Sequence, residues 1–256
     1  MHVADPAAEG AARRLRELGF ADADALLLAD HFAEAEARGK RGHGFGRIEW
    51  LAQRPDLRPR AEPERTEREP GYERWHGRGA VGYLTLARIV STQLADPPER
   101  ARIVVASDCF PTGMLGYWVR RLAEGGLVAA LTATSPPRLA PPEGGPPLAG
   151  TNPLAIGIPS SDGRPLVADV SMGKVTFGDV LLGHAAEEEL VPFGGDQAHK
   201  AFALAVGLHG FVDALAGGEG YGALLLVARP EADPVPALRR RAAGARLPGD
   251  PPRTNT

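Results

Sequence analysis

A histidine and an arginine stand four residues apart near the start of the chain, in the segment RGKRGHGFGRIEW at 38–50. An imidazole such as that of His43 titrates near neutral pH, so it can deliver or accept a proton. The guanidinium of Arg47 can bind a carboxylate through two parallel hydrogen bonds. The pair would suit chemistry on an acidic substrate, but the same residues also suit a flexible basic turn. Only the rest of the chain can decide between the two interpretations.

The histidine segment follows a predicted helix over 22–38. Apolar residues recur there at spacings of three and four, which places them on one helical face. They are Ala25, Leu28, Phe32 and Ala35. Asp22 is the predicted N-terminal cap, and Gly39 is the predicted end of the helix. A shorter helix is predicted over 7–18, so two helices come before the turn that carries His43.

Farther along, predicted helices alternate with short apolar strands. Periodicity predicts helices over 80–94, 113–124 and 197–216, and strands over 102–106, 127–133, 154–158, 165–170 and 222–228. The segment from 102 to 133 could form a βαβ unit, but it lacks the GxGxxG spacing of a Rossmann dinucleotide site. Gly207 and Gly210 predict that the last helix packs closely against another element. Irregular surface segments are predicted over 54–70, over 135–150 and from 229 onward.

Composition excludes several classes of protein. Of 256 residues, 43% are hydrophobic and 24% are charged, as expected of a globular protein with a sizeable core. A net charge of −3 argues against nucleic-acid binding, and no apolar run approaches the ~20 residues that span a membrane. The single cysteine, Cys109, excludes an intrachain disulfide and a cysteine-based zinc site. Because no signal peptide is recognisable, we expect a cytoplasmic protein. We also expect no metal site.

Four separated segments carry a family resemblance. They are RGHGFGRIEWL at 41–51, AGTNPLAIGIP at 149–159, LVADVSMGKV at 166–175 and VPFGGDQAHKAFALAV at 191–206, with RLPGD at 246–250 in the tail. In this order and spacing the chain resembles the malate/L-lactate dehydrogenase family of the non-Rossmann type. That family also includes ureidoglycolate and sulfolactate dehydrogenases, diketogulonate reductase and piperideine-2-carboxylate reductases. The resemblance covers most of the chain, and GTNPLAIGIP is its most specific part.

The resemblance implies an α/β (α+β) fold with a non-Rossmann, mainly antiparallel central sheet flanked by helices. It implies an N-terminal helical part at 1–75 that carries His43 and Arg47, a sheet-containing cofactor and substrate domain at 76–228, and a surface tail at 229–256 that packs back on the first part. It also implies a homodimer that uses NADH or NADPH. Members of the family move a hydride between the nicotinamide and the α-carbon of a 2-oxo acid, a 2-hydroxy acid or a cyclic imino acid.

The resemblance assigns three catalytic residues. His43 matches the family's proton donor, and Arg47 matches the group that holds the substrate carboxylate. Asp169 matches an aspartate whose carboxylate could hold the histidine in one tautomer and favour its charged form. Each assignment has a plainer alternative, namely a surface-turn histidine, a surface ion pair and an aspartate that caps a turn.

A second set of residues matches the family's cofactor and substrate contacts. The cofactor set is Gly113, Thr151, Asn152, Pro153, Gly194, Gly195 and Lys200, and His199 joins Arg47 as a substrate contact. Hydroxyl and amide side chains can hydrogen-bond a carboxamide or a ribose. Backbone amides at a helix start, with a lysine nearby, can bind a phosphate. The alternatives are a structural turn before a strand and ordinary helix capping.

The chain departs from the family pattern in four places. Gly42 replaces a serine, Leu51 replaces a tyrosine and Pro111 replaces a second histidine. The short link over 176–192 stands where the family usually has several dozen residues. Two hypotheses follow for a protein whose partner is a small acidic substrate rather than a nucleic acid or a membrane.

In the first hypothesis the protein is an NAD(P)H-dependent reductase or dehydrogenase in specialised metabolism. In the second, a divergent member has lost hydride transfer and acts as a non-redox enzyme or a binding partner in a biosynthetic pathway. The retained histidine, arginine and aspartate favour chemistry, whereas the short link argues against tight nicotinamide binding. The sequence separates neither NADH from NADPH nor one substrate from another.

Overall fold

The computed structural model describes residues 6–218 and 220–251, which contain eight α-helices and a seven-stranded sheet. The helices are α1 (Pro6–Glu17), α2 (Asp22–Ala37), α3 (Gly46–Ala52), α4 (Gly82–Ala95), α5 (Leu115–Glu124), α6 (Phe177–Leu181), α7 (Ala198–Ala216) and α8 (Val235–Ala242). The strands are β1 (Glu64–Glu69), β2 (Tyr72–His76), β3 (Ala101–Ser107), β4 (Val128–Ala133), β5 (Leu154–Ile158), β6 (Leu166–Val170) and β7 (Ala223–Ala228). Every helix and strand predicted by periodicity is present, with ends that differ by two residues or fewer.

The strands lie in the order β1-β2-β3-β7-β4-β5-β6. All neighbours are antiparallel except β2 and β3, so the predicted mainly antiparallel sheet flanked by helices is confirmed. β3 and β4 both pair antiparallel with β7, which lies between them. The predicted βαβ unit is therefore split, because its two strands run parallel without being neighbours.

The main core lies on one face of this sheet. Val104, Leu225, Leu131 and Ala155 are in register across four strands, and all are buried in one cluster with residues of α2, α4 and α5. The helices follow their apolar periodicity, so their buried faces meet this row of side chains. On the opposite face, large apolar side chains stay exposed, namely Ile103, Leu226 and Ile156. A smaller cluster around Met172 and Ala205 packs beside α7.

Two surface predictions were incomplete. The segment over 54–70 contains β1, an edge strand whose sequence ERTERE has no apolar alternation. Backbone pairing with β2 and cross-strand ion pairs such as Arg65–Glu73 at 3.2 Å form it instead. The tail forms α8, which is anchored where Arg239 pairs with Asp250 at 2.8 Å. Periodicity detects burial, so it misses elements that pairing and charge stabilise.

Two predictions about helix details were wrong. The cap of α2 is Ala21, and Asp22 lies in the first turn, where it pairs with Arg16 at 2.5 Å. A Cβ atom added to Gly207 or Gly210 on α7 would have no neighbouring atom within 4 Å. These glycines therefore do not mark close packing among the described residues. Gly39 does follow the end of α2 with a left-handed φ of 72°. In the described part of the chain, no helix combines the length and the hydropathy needed to cross a bilayer.

Candidate active site

The turn after α2 presents His43 and Arg47 together. The His43 amide donates to the Lys40 carbonyl at 2.9 Å, which closes a single 3₁₀ turn before α3 begins at Gly46. Arg47 lies in the first turn of α3 and is buried, and its Nε donates to the Gly42 carbonyl at 2.7 Å. Its guanidinium also lies 5.0 Å from the centroid of the Trp50 ring. The arginine is therefore fixed from two sides before any ligand binds.

The short link accounts for the glycine that replaces the family serine. α6 packs directly on the His43 turn, and a Cβ on Gly42 would lie 2.5 Å from an Asp179 oxygen and 2.7 Å from the Thr176 hydroxyl. A Cβ on Gly178 would lie 1.9 Å from the Gly42 carbonyl oxygen. Two glycines thus allow the link to lie against the turn, where a serine side chain has no room.

Two adjoining cavities meet at His43. We call the first the inner cavity; it has a volume of about 70 Å³ and is lined by His43, Arg47, Tyr83, Arg138 and Phe177, among others. The outer cavity measures about 400 Å³, and its lining includes Lys40, Asp169 and Lys174. Residues shared by both linings are His43, Gly113, Thr151, Pro153 and Thr176. A ligand that fills both would therefore contact His43 at their junction.

The electrostatics around His43 differ from the sequence expectation. Burial, followed by the nearby Arg47 charge, lowers the pKa of His43 from 6.5 to about 4, although the Asp169 carboxylate opposes the shift. Its Nδ1 is shielded from solvent and has no hydrogen-bond partner within the described residues. The histidine is therefore neutral at pH 7 in the ligand-free protein, whereas the sequence predicted titration near neutrality.

No hydrogen bond joins Asp169 to His43 in the described part of the chain. Its carboxylate accepts a hydrogen bond from Lys40 Nζ at 2.6 Å, at the wall of the outer cavity. It raises the pKa of His43 only through space, while Lys40 lowers it. The predicted aspartate–histidine hydrogen bond is thus replaced by a lysine–aspartate ion pair. This lysine lies three residues after the end of α2 at Ala37.

The turn at 151–153 places two of its three residues at the cavities. Thr151 and Pro153 line both cavities, as does Gly113. Asn152 is fully buried, and its side-chain amide donates to the Ala205 carbonyl on α7 at 2.8 Å. Asn152 therefore fastens α7 to the site, and its side chain is not available to a ligand.

The predicted residues before and in α7 lie elsewhere. Gly194 and Gly195 line a separate surface groove, and His199 and Lys200 are exposed. The chain there is held to the exit of β6, because the Phe193 amide donates to the Met172 carbonyl at 3.1 Å. None of these four residues lines the inner or the outer cavity.

Sequence reasoning missed Arg138 and Phe177 at the inner cavity. The guanidinium carbon of Arg138 lies 3.3 Å from the centroid of the Phe177 ring. Burial lowers the pKa of this arginine, and its Nε is shielded from solvent without a hydrogen-bond partner among the described residues. The available signal was a single cation, Arg138, in the proline-rich run SPPRLAPP. The two other substitutions relative to the family pattern lie in different environments. Pro111 lines the inner cavity, whereas Leu51 is buried in the core.

The outer cavity fits part of a nicotinamide cofactor. Its volume of about 400 Å³ lies in the usual range for small-molecule sites, roughly 300–1,000 Å³. The orphaned Nδ1 of His43 is a polar atom that a ligand could satisfy. Lys40 and Lys174 are each paired with a carboxylate, Asp169 at 2.6 Å and Glu189 at 2.9 Å, so a cofactor phosphate would have to compete with those pairs. No three His, Cys, Asp or Glu side chains of the described chain are grouped closely enough to hold a metal ion.

Comparison with known proteins gives one family. A family model described as malate/L-lactate dehydrogenase matches residues 4–197. The (2R)-3-sulfolactate dehydrogenase (NADP(+)) of Chromohalobacter salexigens is 32% identical over 179 residues, which cover 69% of this chain and 54% of that protein. A Delta(1)-pyrroline-2-carboxylate/Delta(1)-piperideine-2-carboxylate reductase of Pseudomonas aeruginosa is 30% identical over 195 residues, 74% of this chain and 58% of that protein. The chain thus spans little more than half the length of these relatives.

The fold has a similar counterpart among solved structures. The crystal structure of a dehydrogenase from Sinorhizobium meliloti matches with a TM-score of 0.80 and 24% sequence identity. The match covers 96% of this chain and 86% of that one. At this identity the likeness concerns the fold alone.

Proposed function

The chain belongs to the malate/L-lactate dehydrogenase family, and from that premise we propose that it is an NAD(P)H-dependent reductase or dehydrogenase. Its substrates are 2-oxo acids, their 2-hydroxy acid products, or cyclic imino acids. The observation that carries the proposal is the placement of His43 and Arg47 on one cavity whose lining contains no carboxylate. A substrate carboxylate would supply the missing negative charge.

Arg47 binds the substrate carboxylate in this proposal. Its Nε is already engaged by the Gly42 carbonyl, so the terminal nitrogens remain for the ligand. Because the Arg47 charge lowers the pKa of His43, an anion bound to Arg47 offsets that charge and raises this pKa. Substrate binding therefore prepares the histidine to carry a proton.

His43 transfers that proton at the substrate oxygen. In reduction the imidazolium protonates the oxygen of the former carbonyl; in oxidation the neutral imidazole accepts the proton of the 2-hydroxyl. The nicotinamide supplies the hydride in one direction and accepts it in the other. Thr151, Pro153 and Gly113 would hold the cofactor near His43, with Lys40 and Lys174 toward its phosphates.

The proposal extends to the assembly and the layout of the chain. Residues 1–75 supply the proton-transfer residue and the carboxylate-binding residue, 76–228 supply the cofactor side, and 229–256 form the tail. In support of the last assignment, the Gly249 carbonyl accepts a hydrogen bond from Arg38 of α2 at 3.2 Å. A homodimer is proposed on family membership alone, and a cytoplasmic location on the sequence features given above.

A non-redox activity is the second candidate. It is favoured by the position of Gly194, Gly195 and Lys200, which line neither cavity although the family resemblance assigns them to the cofactor. In that case the inner cavity would bind an acidic ligand without a nicotinamide beside it.

Cofactor titration separates the two candidates. Purified protein is titrated with NADH and with NADPH while fluorescence and thermal unfolding are followed. At 100 times Kd, one cofactor should stabilise the fold by about 2.7 kcal/mol. If neither cofactor changes either signal, the reductase proposal is wrong.

Variants of two histidines test the role of His43. His43→Ala should abolish turnover while leaving cofactor affinity within a few fold. His199→Ala, which truncates an exposed histidine on α7, is the matched control and should keep turnover. Undiminished turnover in His43→Ala would remove His43 from proton transfer.

A further inference from the structure

Arg138 is held in place by its backbone. Its amide and that of Leu139 both donate to the Ala149 carbonyl at 2.8 Å, and Leu139 is fully buried. The guanidinium carbon lies 3.3 Å from the centroid of the Phe177 ring, at the start of α6. A capping box between Thr176 and Asp179 fixes that start. The side chain of Arg138 is therefore positioned by two independent anchors.

Arg138 also lacks a counter-charge. In the ranges 6–218 and 220–251, Arg47 and Arg138 are the only arginines that are not solvent-exposed and have no carboxylate within 4 Å. Buried arginines elsewhere are paired, as Arg102 is with Glu73 at 3.4 Å. Glu187 favours the charged form of Arg138, but no ion pair forms between them.

Both unpaired guanidinium groups line the inner cavity. No Asp or Glu belongs to that lining, whose remaining polar side chains are that of His43 and hydroxyls such as those of Thr134 and Ser135. A partly buried cation without a partner is unfavourable, so a ligand that supplies negative charge is stabilised there. A ligand with one carboxylate can neutralise only one of the two groups.

We propose that Arg138 is a second anion-binding residue and that the substrate is a short 2-oxo or 2-hydroxy acid with a second anionic group, a carboxylate or a sulfonate, at its other end. This inference rests on the proposed function, in which Arg47 binds the carboxylate next to the reacting carbon. Arg138 then holds the far group, and the planar guanidinium on Phe177 orients it. The inner cavity is the smaller of the two, about 70 Å³ against about 400 Å³, which favours a compact chain. Cyclic imino acids with a single carboxylate would leave Arg138 unpaired.

The inference is tested by measuring the binding of acids that differ by one anionic group, in the absence of cofactor, so that no turnover occurs. Calorimetry on the protein without cofactor compares malate with lactate, because these 2-hydroxy acids differ by one carboxylate, and 3-sulfolactate provides the sulfonate arm. Malate or 3-sulfolactate should bind roughly 10- to 100-fold more tightly than lactate, as expected for one added charge-assisted contact. The tighter binder of malate and 3-sulfolactate shows whether the second anionic group is a carboxylate or a sulfonate.

Three variants assign that preference to Arg138. Arg138→Gln should remove the preference while leaving lactate affinity unchanged, and Arg138→Lys should restore part of it. Arg100→Gln, at an arginine whose side chain is 86% exposed, is the matched control and should keep the full preference. The inference is overturned if wild-type protein shows no preference, including no binding of either acid, or if Arg138→Gln keeps it.

The outcome is separable from that of the proposed function. If pyruvate is reduced with NADH or NADPH but no preference for two anionic groups exists, the function stands and the role of Arg138 is wrong. If the preference depends on Arg138 but neither cofactor binds, the reductase proposal is wrong and Arg138 remains an anion-binding residue of a non-redox site.

Discussion

The two sides of the sheet are packed very differently. On one side α2 and α4 bury most of their apolar residues, including Phe32 at 0% exposure. On the other side α7 has 19 residues and buries only three, Ala201, Ala205 and Val212. Leu204 and Phe211 on α7 stay 52% and 54% exposed. We call these the packed side and the open side.

The candidate site takes residues from both sides of this contrast. His43 and Arg47 follow α2 and belong to the packed side, so their positions are determined by the core. Thr176 and Phe177 belong to the link that leads to α7, where the buried residues form only the smaller cluster around Met172 and Ala205. The chemistry is thus placed on rigid structure, while part of the ligand contact surface comes from less densely packed structure.

The largest expected effect compares two phenylalanines in helices. Phe32→Ala on the packed side should lower the free energy of unfolding by about 3–5 kcal/mol, because it leaves a cavity in the core. Phe211→Ala on the open side should change it by less than about 0.5 kcal/mol. Urea unfolding measures both values. If Phe211→Ala lowered the free energy of unfolding as much as Phe32→Ala, the exposed face of α7 would be buried against another molecule in solution. The difference between the two sides would then hold only for the isolated chain.

A smaller effect compares two glycines. Gly113 has a φ of 70°, and a Cβ there would lie 2.2 Å from the Tyr83 ring and 2.4 Å from His31 Nε2. Gly113→Ala should therefore destabilise the protein by about 2–4 kcal/mol through backbone strain and overpacking. Gly207→Ala on α7 meets no atom within 4 Å and should stabilise by about 0.5–1 kcal/mol. The same unfolding measurement applies, and destabilisation by Gly207→Ala would mean that α7 has an unseen neighbour.

The same contrast explains what the sequence could predict. On the packed side periodicity located α2, α4 and α5, which are long enough for a burial pattern to repeat. It missed the short elements α3 and β2, although Leu51 and Trp75 lie in the main core. It failed at β1 and at the glycines of α7, where charge pairing and solvent take the place of burial. The family resemblance led to the mainly antiparallel sheet, which local sequence does not encode.

Prediction of the site depended on distance along the chain. His43 and Arg47 were assigned by the family resemblance, and their closeness on one turn follows from their spacing of four residues. Arg138 was missed because its partner ring, Phe177, is far away in sequence. Asp169 was given the wrong contact, since the proximity of Lys40 to it is a tertiary feature. Lys200 was placed by analogy to relatives whose intervening segment is longer.

The smallest expected effect uses pH to compare a histidine from each side. The pKa of His43 is lowered to about 4, chiefly by burial, so between pH 6.5 and pH 4 the unfolded chain binds more protons at this residue than the folded chain. The contribution is therefore fully favourable above pH 6.5 and is lost as the pH falls toward 4. The pKa of buried His31 is also lowered by burial, so it acts in the same direction.

Lowering the pH from 8 to 5 should therefore cost wild-type protein about 1–2 kcal/mol at His43, discounted for the partial solvent access of its ring. His43→Gln removes this share, so its free energy of unfolding should fall less over the same interval, whatever its value at pH 8. His199→Gln alters only an exposed histidine of the open side and should reproduce the wild-type slope. Urea unfolding of the three proteins at pH 8 and pH 5 gives the slopes. If the free energy of unfolding of wild type and His43→Gln fell equally between pH 8 and pH 5, His43 would be solvated like a residue of the open side. The site around His43 would then be less enclosed than the structure shows.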